Sequence, residues 1–322
     1  MQVPYTKPFL GIQEQIALLK SRGMVISDEA ATADYLSKIG YYRLSGYWYP
    51  FRESEVSGNP GTVVVKDTFR KGTEFDHALK LYVFDKHLRL HFLDALERIE
   101  VGLRVEIALL LGQRDPLAHR QPKYLHGHFA KKIDPSTGTT KHAKWLERLD
   151  DITNRSSEEF VKQYKRKYRT PLPMWIAIEL WDFGLLSHFL SGMTVADKAA
   201  LASKYQLPRW QLLQSWVRNL NQLRNVCAHH SRLWNRVFTE IPAKAKPGEV
   251  PKLDHLFADT YAVNRLYASA AITQHFMSII NPTSDWSKRM ISLMTRDFPG
   301  GPGLSIRHAG FPEGWEKLDL WK

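Results

Sequence analysis

Between positions 224 and 229 the chain reads Arg224-Asn225-Val226-Cys227-Ala228-His229, three chemically capable side chains at spacings a helix can bring together. Histidine titrates near neutrality, so His229 can take or give a proton. The planar fork of Arg224 can hold the non-bridging oxygens of a phosphate. Asn225 lies one turn before His229 and can orient the imidazole or a substrate. These groups suit cleavage of RNA without a metal. That reaction needs an acceptor for the ribose 2′-hydroxyl proton or a donor for the leaving 5′-oxygen, with positive charge over a phosphorane-like transition state. The same face could bind phosphate, or pack on another subunit, without catalysis, and the residues alone leave those readings open.

The window from Trp210 to Arg236 reads as one helix, with Pro208 at a first-turn position. At about 100° per residue, Arg224, Asn221, Arg232, Asn225, Arg218 and His229 share roughly 140° of arc. Trp216, Leu220, Leu223, Val226, Cys227 and Leu233 take the other side. The polar arc holds no carboxylate, unlike the mixed charge of an ordinary surface helix. Arg218, Asn221, Arg232 and Arg236 are therefore the candidate RNA contacts around the catalytic set Arg224, Asn225 and His229. His230 falls near the apolar border and is expected in the core or behind His229. Cys227 sits on the apolar arc, as a packed thiol would.

The Arg-x4-His spacing resembles the motif of HEPN-type RNases, in which a polar residue often follows the arginine. Other segments sharpen the resemblance, in order: Lys7-Pro8, Glu14-Gln15-Ile16, Tyr41-Tyr42-Arg43-Leu44-Ser45-Gly46-Tyr47 and Leu81-Tyr82-Val83-Phe84-Asp85-Lys86-His87-Leu88-Arg89. Then come Glu97–Arg104, Leu172-Pro173-Met174-Trp175, Phe183–Ser187, Arg232-Leu233-Trp234-Asn235-Arg236, Gly310-Phe311-Pro312 and Trp315. This set resembles the bacterial abortive-infection family of the AbiD and AbiF kind over nearly the whole chain. The resemblance implies phage defence, a HEPN-like helical bundle and RNA cleavage to a cyclic 2′,3′-phosphate; a non-catalytic RNA-binding module and a helical interaction protein that senses a phage component are the alternatives. It also implies a homodimer, because a single Arg–His set supplies few groups for acid, base and charge stabilisation.

Composition agrees with a polyanionic partner. The 322 residues are 43% hydrophobic, ordinary for a folded chain, but the formal net charge is +12. RNA is the expected partner; a membrane is not, because no polybasic run or amphipathic anchor stands out and Ile107–Leu111 is too short to span a bilayer. The single cysteine excludes an intrachain disulfide and the N-terminus lacks an apolar signal region, so a cytoplasmic protein is expected. No cofactor is implied. His119, His126 and His128 do not make a zinc site, with one cysteine and no acidic partner nearby. Lys162, Lys165, Arg166 and Arg169 form a second basic cluster suited to an RNA backbone, or to a solvated face. Arg114-x4-His119 repeats the motif spacing, but Pro116 and the helix end near Gly112 deny it a helical face.

The chain reads as predominantly α. An N-terminal accessory region, 1–70, contains helices at Gln13–Arg22 and Glu29–Ile39, with Ser27 as a cap. The aromatic block Tyr41–Phe51 is expected to pack rather than stack bases, and a small β-hairpin is expected around Val63–Val65 after a loop through Gly58–Gly61. A HEPN-like bundle, 71–280, opens with Phe75–Leu111, whose stripe Phe92, Leu96, Ile99, Leu103, Ile107 and Leu110 marks a buried face. A loop-rich insertion, 113–140, precedes helices at His142–Thr153, Glu158–Tyr168 (with a Ser156/Glu159 capping box), Met174–Leu190, Ala199–Tyr205 and Leu256–Ile280. Trp175, Trp181 and Phe183 are expected in the core. An irregular tail, 281–322, completes the chain.

Overall fold

The computed structural model describes Pro4, Thr6 and residues 8–56 and 63–322; the loop expected at Gly58–Gly61 lies outside them. Among the described residues are α1 (Ile12–Ser21), α2 (Glu29–Ile39), α3 (Tyr41–Trp48), β1 (Arg52–Val56), β2 (Val63–Phe69) and α4 (Phe75–Gly112). Next come α5 (Gly127–Ala130), β3 (Ile133–Asp134), β4 (Thr139–Thr140), α6 (Lys141–Arg155), α7 (Glu159–Lys167), α8 (Met174–Ala177) and α9 (Phe183–Gly192). The last five are α10 (Val195–Lys204), α11 (Trp210–Ala228), α12 (Asp254–Ala258), α13 (Leu266–Ile280) and α14 (Trp286–Thr295). The fold is mainly helical with a small antiparallel hairpin, as the sequence predicts. In that hairpin Val56 pairs with Val63 and Arg52 with Phe69, across an irregularity between Arg52 and Ser54.

Two helices organise the rest. The 38 residues of α4 run about 57 Å at 1.5 Å per residue. Its predicted stripe is buried from Phe92 to Ile107, with Leu110 half-buried. Every residue of α13 from Leu266 to Met277 is buried, the mark of a helix enclosed on all sides. Tyr267 on α13 meets Phe311, Trp315 and Trp321 of the C-terminal segment at 5.0, 6.3 and 6.3 Å between ring centres. That segment, expected to be irregular, carries α14, whose Trp286 stacks on His91 of α4 at 4.8 Å.

Several helices end earlier than the apolar periodicity suggests, each for a local reason. The span Met174–Leu190 is two helices, because Asp182 caps α9 by accepting from the Leu185 amide at 2.6 Å. The span Leu256–Ile280 breaks where the Asp259 carboxylate accepts from the Tyr261 and Ala262 amides. The Ser156/Glu159 box does not form; Glu158 is the N-cap of α7, with no side-chain bond. Asp28, not Ser27, caps α2 through the Ala31 amide. Trp181 and Phe183 are fully buried, whereas Trp175, expected beside them, is 52% exposed.

One buried charge ties these parts together. The Asp85 carboxylate of α4 is inaccessible and accepts from Tyr47 on α3 at 2.7 Å, from Arg89, and from the amides of Leu233 and Trp234 at 3.1 and 2.7 Å. Burial pushes this carboxyl up from its ordinary range, against the charge of Arg89 and the hydrogen bonds from Tyr47 and the two amides. Its removal would leave Arg89, itself only 5% exposed, without its counter-ion and two buried amides without partners. Asp85→Ala should therefore cost about 3–5 kcal/mol in chemical denaturation, and Asp85→Asn clearly less. Equal, small effects of both would show that the cluster is not a structural anchor.

Candidate functional site

The motif helix stops sooner than expected. Instead of running to Arg236, α11 ends at Ala228 with His229 as its C-cap. The Ser231 amide reaches back to the Val226 carbonyl and the His230 amide to that of Cys227, at 3.0 and 3.2 Å. This double closure requires a left-handed residue in between, and His230 supplies it at φ 55°. Glycine is usual there, although histidine tolerates the region better than most residues. As a result His229 and His230 are both exposed, which corrects the inward placement expected for His230.

The chain beyond the cap is fastened from the N-terminal side. Arg43 donates to the His230 carbonyl, Arg89 to that of Ser231 at 3.4 Å, and Arg232 to that of Gly46. With the Asp85 bonds to Leu233 and Trp234, side chains or backbone of α3 and α4 hold five consecutive residues. Arg232 is thus a strut between α3 and the post-motif segment rather than a member of the helical arc.

A cleft of about 640 Å³ opens over the polar face of α11. Arg218, Asn221, Asn225 and His229, at three- and four-residue steps, form its floor together with Gln222. Gly184, Ser187, His188 and Ser191 of α9 form one wall, and Arg236, Thr239 and Glu240 the other. The second wall is held in place from α11: the Asn219 amide donates to the Glu240 carbonyl at 2.8 Å, and Ser215 accepts from the Ala243 amide at 2.8 Å. Asn221 Oδ1 and Arg236 Nε are buried without a partner. Of the expected residues, the cleft gathers Arg218, Asn221, Asn225, His229 and Arg236.

Arg224 stands at the edge of this group and does not line the cleft. Its guanidinium donates to Asn225 Oδ1 at 3.2 Å. Burial pushes the Glu100 carboxyl up, while the nearby charges of Arg104 and Arg224 oppose the shift. Arg224 therefore lies between Glu100 on α4 and the Asn225 side chain on the cleft floor.

The sequence model of the Abi-like protein family matches residues 34–235, from α2 through the post-motif segment. The chain belongs to the Abi-like protein family. That membership associates it with abortive-infection defence. No curated protein and no solved structure matches it.

The matched region of this Abi-like protein contains every element that builds the cleft floor and the α9 wall. The second basic cluster is elsewhere: Lys162, Lys165, Arg166 and Arg169 are exposed on and after α7, and none lines the cleft. Lys165 is already committed to the Thr153 carbonyl at 2.7 Å, and Arg166 lies 3.6 Å from Glu159. Arg114 pairs with Asp197, while His119 is fully buried against Trp145 and Trp181, so the second Arg-x4-His does not converge. Burial lowers the His119 pKa to about 3. Among the described residues, no group of three or more His, Cys, Asp or Glu is placed to hold a metal. No helix of the described residues is long and apolar enough to cross a membrane. Cys227 is buried, and burial raises its thiol pKa.

Sequence reading missed the cleft walls apart from Arg236. His188 and Glu240 belong to other segments, and only the small-polar spacing Gly184, Ser187, His188, Ser191 hints at a face that keeps a groove open. Glu240, 3.9 Å from Arg218, places a carboxylate beside the carboxylate-free arc. The left-handed His230 gives a direct test of the helix ending. His230→Val should cost about 1–2 kcal/mol of stability and His230→Gly less than about 0.5 kcal/mol. Denaturation midpoints that fall equally for both would contradict the cap geometry.

Proposed function

We propose that this Abi-like protein is a metal-independent, HEPN-like endoribonuclease that acts in phage defence by cleaving RNA. The observation that carries the reading is the exposed His229 at the end of an open, cation-bearing cleft, with Asn225 one turn below and Arg224 beside it. His229 exchanges the proton of the 2′-hydroxyl or of the leaving 5′-oxygen. Arg224, once released from Asn225 toward the cleft, neutralises the phosphorane-like charge, and Asn225 orients imidazole or substrate. The 2′-oxygen bonds to phosphorus as the bond to the 5′-oxygen breaks, leaving a cyclic 2′,3′-phosphate and a 5′-hydroxyl. Arg218, Asn221 and Arg236 hold RNA along the cleft, Arg232 steadies the cleft mouth, and the α7 cluster contributes long-range attraction.

The resting contact of Arg224 with Asn225 favours one alternative, a non-catalytic RNA-binding module gripping RNA by the same face. His229→Ala separates the two: a nuclease loses cleavage at least about a hundredfold while keeping RNA affinity, whereas a binding module shows no cleavage to lose. Cleavage by the unmodified protein should persist in chelator. Full activity of both Arg224→Ala and His229→Ala would remove the nuclease assignment from this site.

The working unit in this reading is a homodimer that brings two motif helices to a shared cleft. Its cationic faces repel without a polyanion between them, so apolar contact elsewhere must hold it. An exposed stripe on α4, Val101, Val105 and Leu109 at one-turn spacing, supports that requirement. Arg224→Ala and His229→Ala chains, each inactive, should regain activity on mixing. Undiminished cleavage by a species that sediments as a monomer would rule the shared site out.

A further inference from the structure

The cleft is longer than one phosphodiester, and its far end has chemistry of its own. The Cβ position of Gly184 lies 3.8 Å from Asn221 Oδ1. Seven residues later on α9, the Ser191 carbonyl shares the Lys198 ammonium with Gln214 Oε1, at 3.5 and 3.3 Å. As α9 advances from Gly184 to Ser191, its neighbours on α11 retreat from Asn221 to Gln214, so the helices run antiparallel. His188 then stands level with Val217 and Arg218. From Arg218 on α11 to its C-cap His229 is eleven residue steps, or about 16 Å of helix. The two histidines cannot act on one phosphate, yet the same cleft is lined by both.

We propose that the Arg218–His188 end of the cleft, with Lys141 and Arg148 of α6 beside it, is a second phosphate subsite for single-stranded RNA. It grips the strand several nucleotides from the bond broken at His229, and it rests on the reading of His229 as the cleaving group. At about 3.4 Å of rise per stacked nucleotide, the interval spans roughly five nucleotides, fewer when the strand is extended. A single strand can lie over α11 in a slot between α9 and the segment that carries Arg236 and Glu240. A duplex, with its bases paired and its backbones outermost, cannot.

The cations at this end are available to a ligand. Arg218 faces Glu240 at 3.9 Å with both side chains about half exposed, and Arg148 pairs with Asp182 with side chains 52% and 37% exposed. Such exposed pairs are weak, and each guanidinium keeps further N–H donors for a phosphate oxygen. The His188 ring is braced edge-on against Phe129 at 5.4 Å. Burial first, then the charges of Lys141 and Arg148, lower its pKa from the ordinary value. Its neutral form is thus favoured in the empty cleft, and an arriving phosphate favours its protonation and an added hydrogen bond. Gly184, Ser187 and Ser191 keep that wall low.

Oligouridylates of two to twelve nucleotides, with the full chain, provide the test. For the unmodified protein, kcat/KM should climb with length until the strand reaches Arg218 and then level off. In Arg218→Ala and His188→Ala, kcat/KM for a ten-nucleotide substrate should fall about tenfold through KM, as for one lost charge-assisted contact, and the deficit should shrink as nucleotides are removed. An equal deficit at every length, or no length dependence in the unmodified protein, would overturn the subsite. If no oligouridylate is cleaved, the nuclease reading fails, and binding decides the subsite separately. A length-dependent affinity loss in the same two variants keeps it, and unchanged affinity at all lengths refutes it.

Discussion

A single carboxylate with no access to water determines how this Abi-like protein is put together. Asp85 accepts from a tyrosine on α3, an arginine on its own helix and two backbone amides that follow the motif helix. A buried charge is tolerable only with its partners in place, so the carboxylate makes the positions of α3, α4 and residues 233–234 depend on one another. The helix capping follows from this. With Leu233 and Trp234 drawn toward α4, the chain must turn sharply after Ala228, and the left-handed His230 makes the turn. His229 is left at a helix end, in solvent, where an imidazole can reach a ligand.

The cleft follows from a second set of constraints. Asn219 is fully buried in α11, yet both ends of its amide are used, donating to the Glu240 carbonyl and accepting from Ser269 of α13. The irregular segment past the cap is thereby held alongside α11, and it supplies a wall. The opposite wall is lined with glycine and serines, so the space above the polar face stays open while the apolar face of α11 packs on α4 and α13. Arg218 and Arg236 bring positive charge to the cleft, and Glu240, the one carboxylate among the described residues that line it, stands 3.9 Å from Arg218 in an exposed pair.

Periodicity reads well where a helix is governed by its own sequence. The bounds of α2 agree with the expected ones and those of α4 differ by one residue, because a cap or a turn glycine and a steady apolar stripe act within a few residues of each end. It fails where a distant group intervenes. The pattern from Trp210 to Arg236 is helical throughout, and nothing near Ala228 in sequence announces Asp85 or Arg43. Asp182 and Asp259 likewise end helical patterns by capturing amides, a choice that depends on where the next helix must go. The site divides in the same way. Arg218, Asn221, Asn225 and His229 share a face that helical geometry predicts. Arg232 looked equivalent on the helical wheel but lies beyond the helix and braces Gly46. His188 and Glu240 reach the cleft only through tertiary packing, and no local spacing could have paired them with the motif.

The fastening of residues 230–234 to α3 and α4 also has a consequence in time. A ribosome releases the two partners of each such bond from 142 residues apart, as for Arg89 with Ser231, to 187 residues apart, as for Arg43 with His230. The N-terminal helices can fold early, but their side chains wait with polar groups unanswered until the late segment arrives. A nascent chain that stops short of Trp234 has the motif residues without the fixed turn that presents them. The turn that presents His229 is therefore fixed only once synthesis has passed Trp234, and a product terminated before that point lacks it.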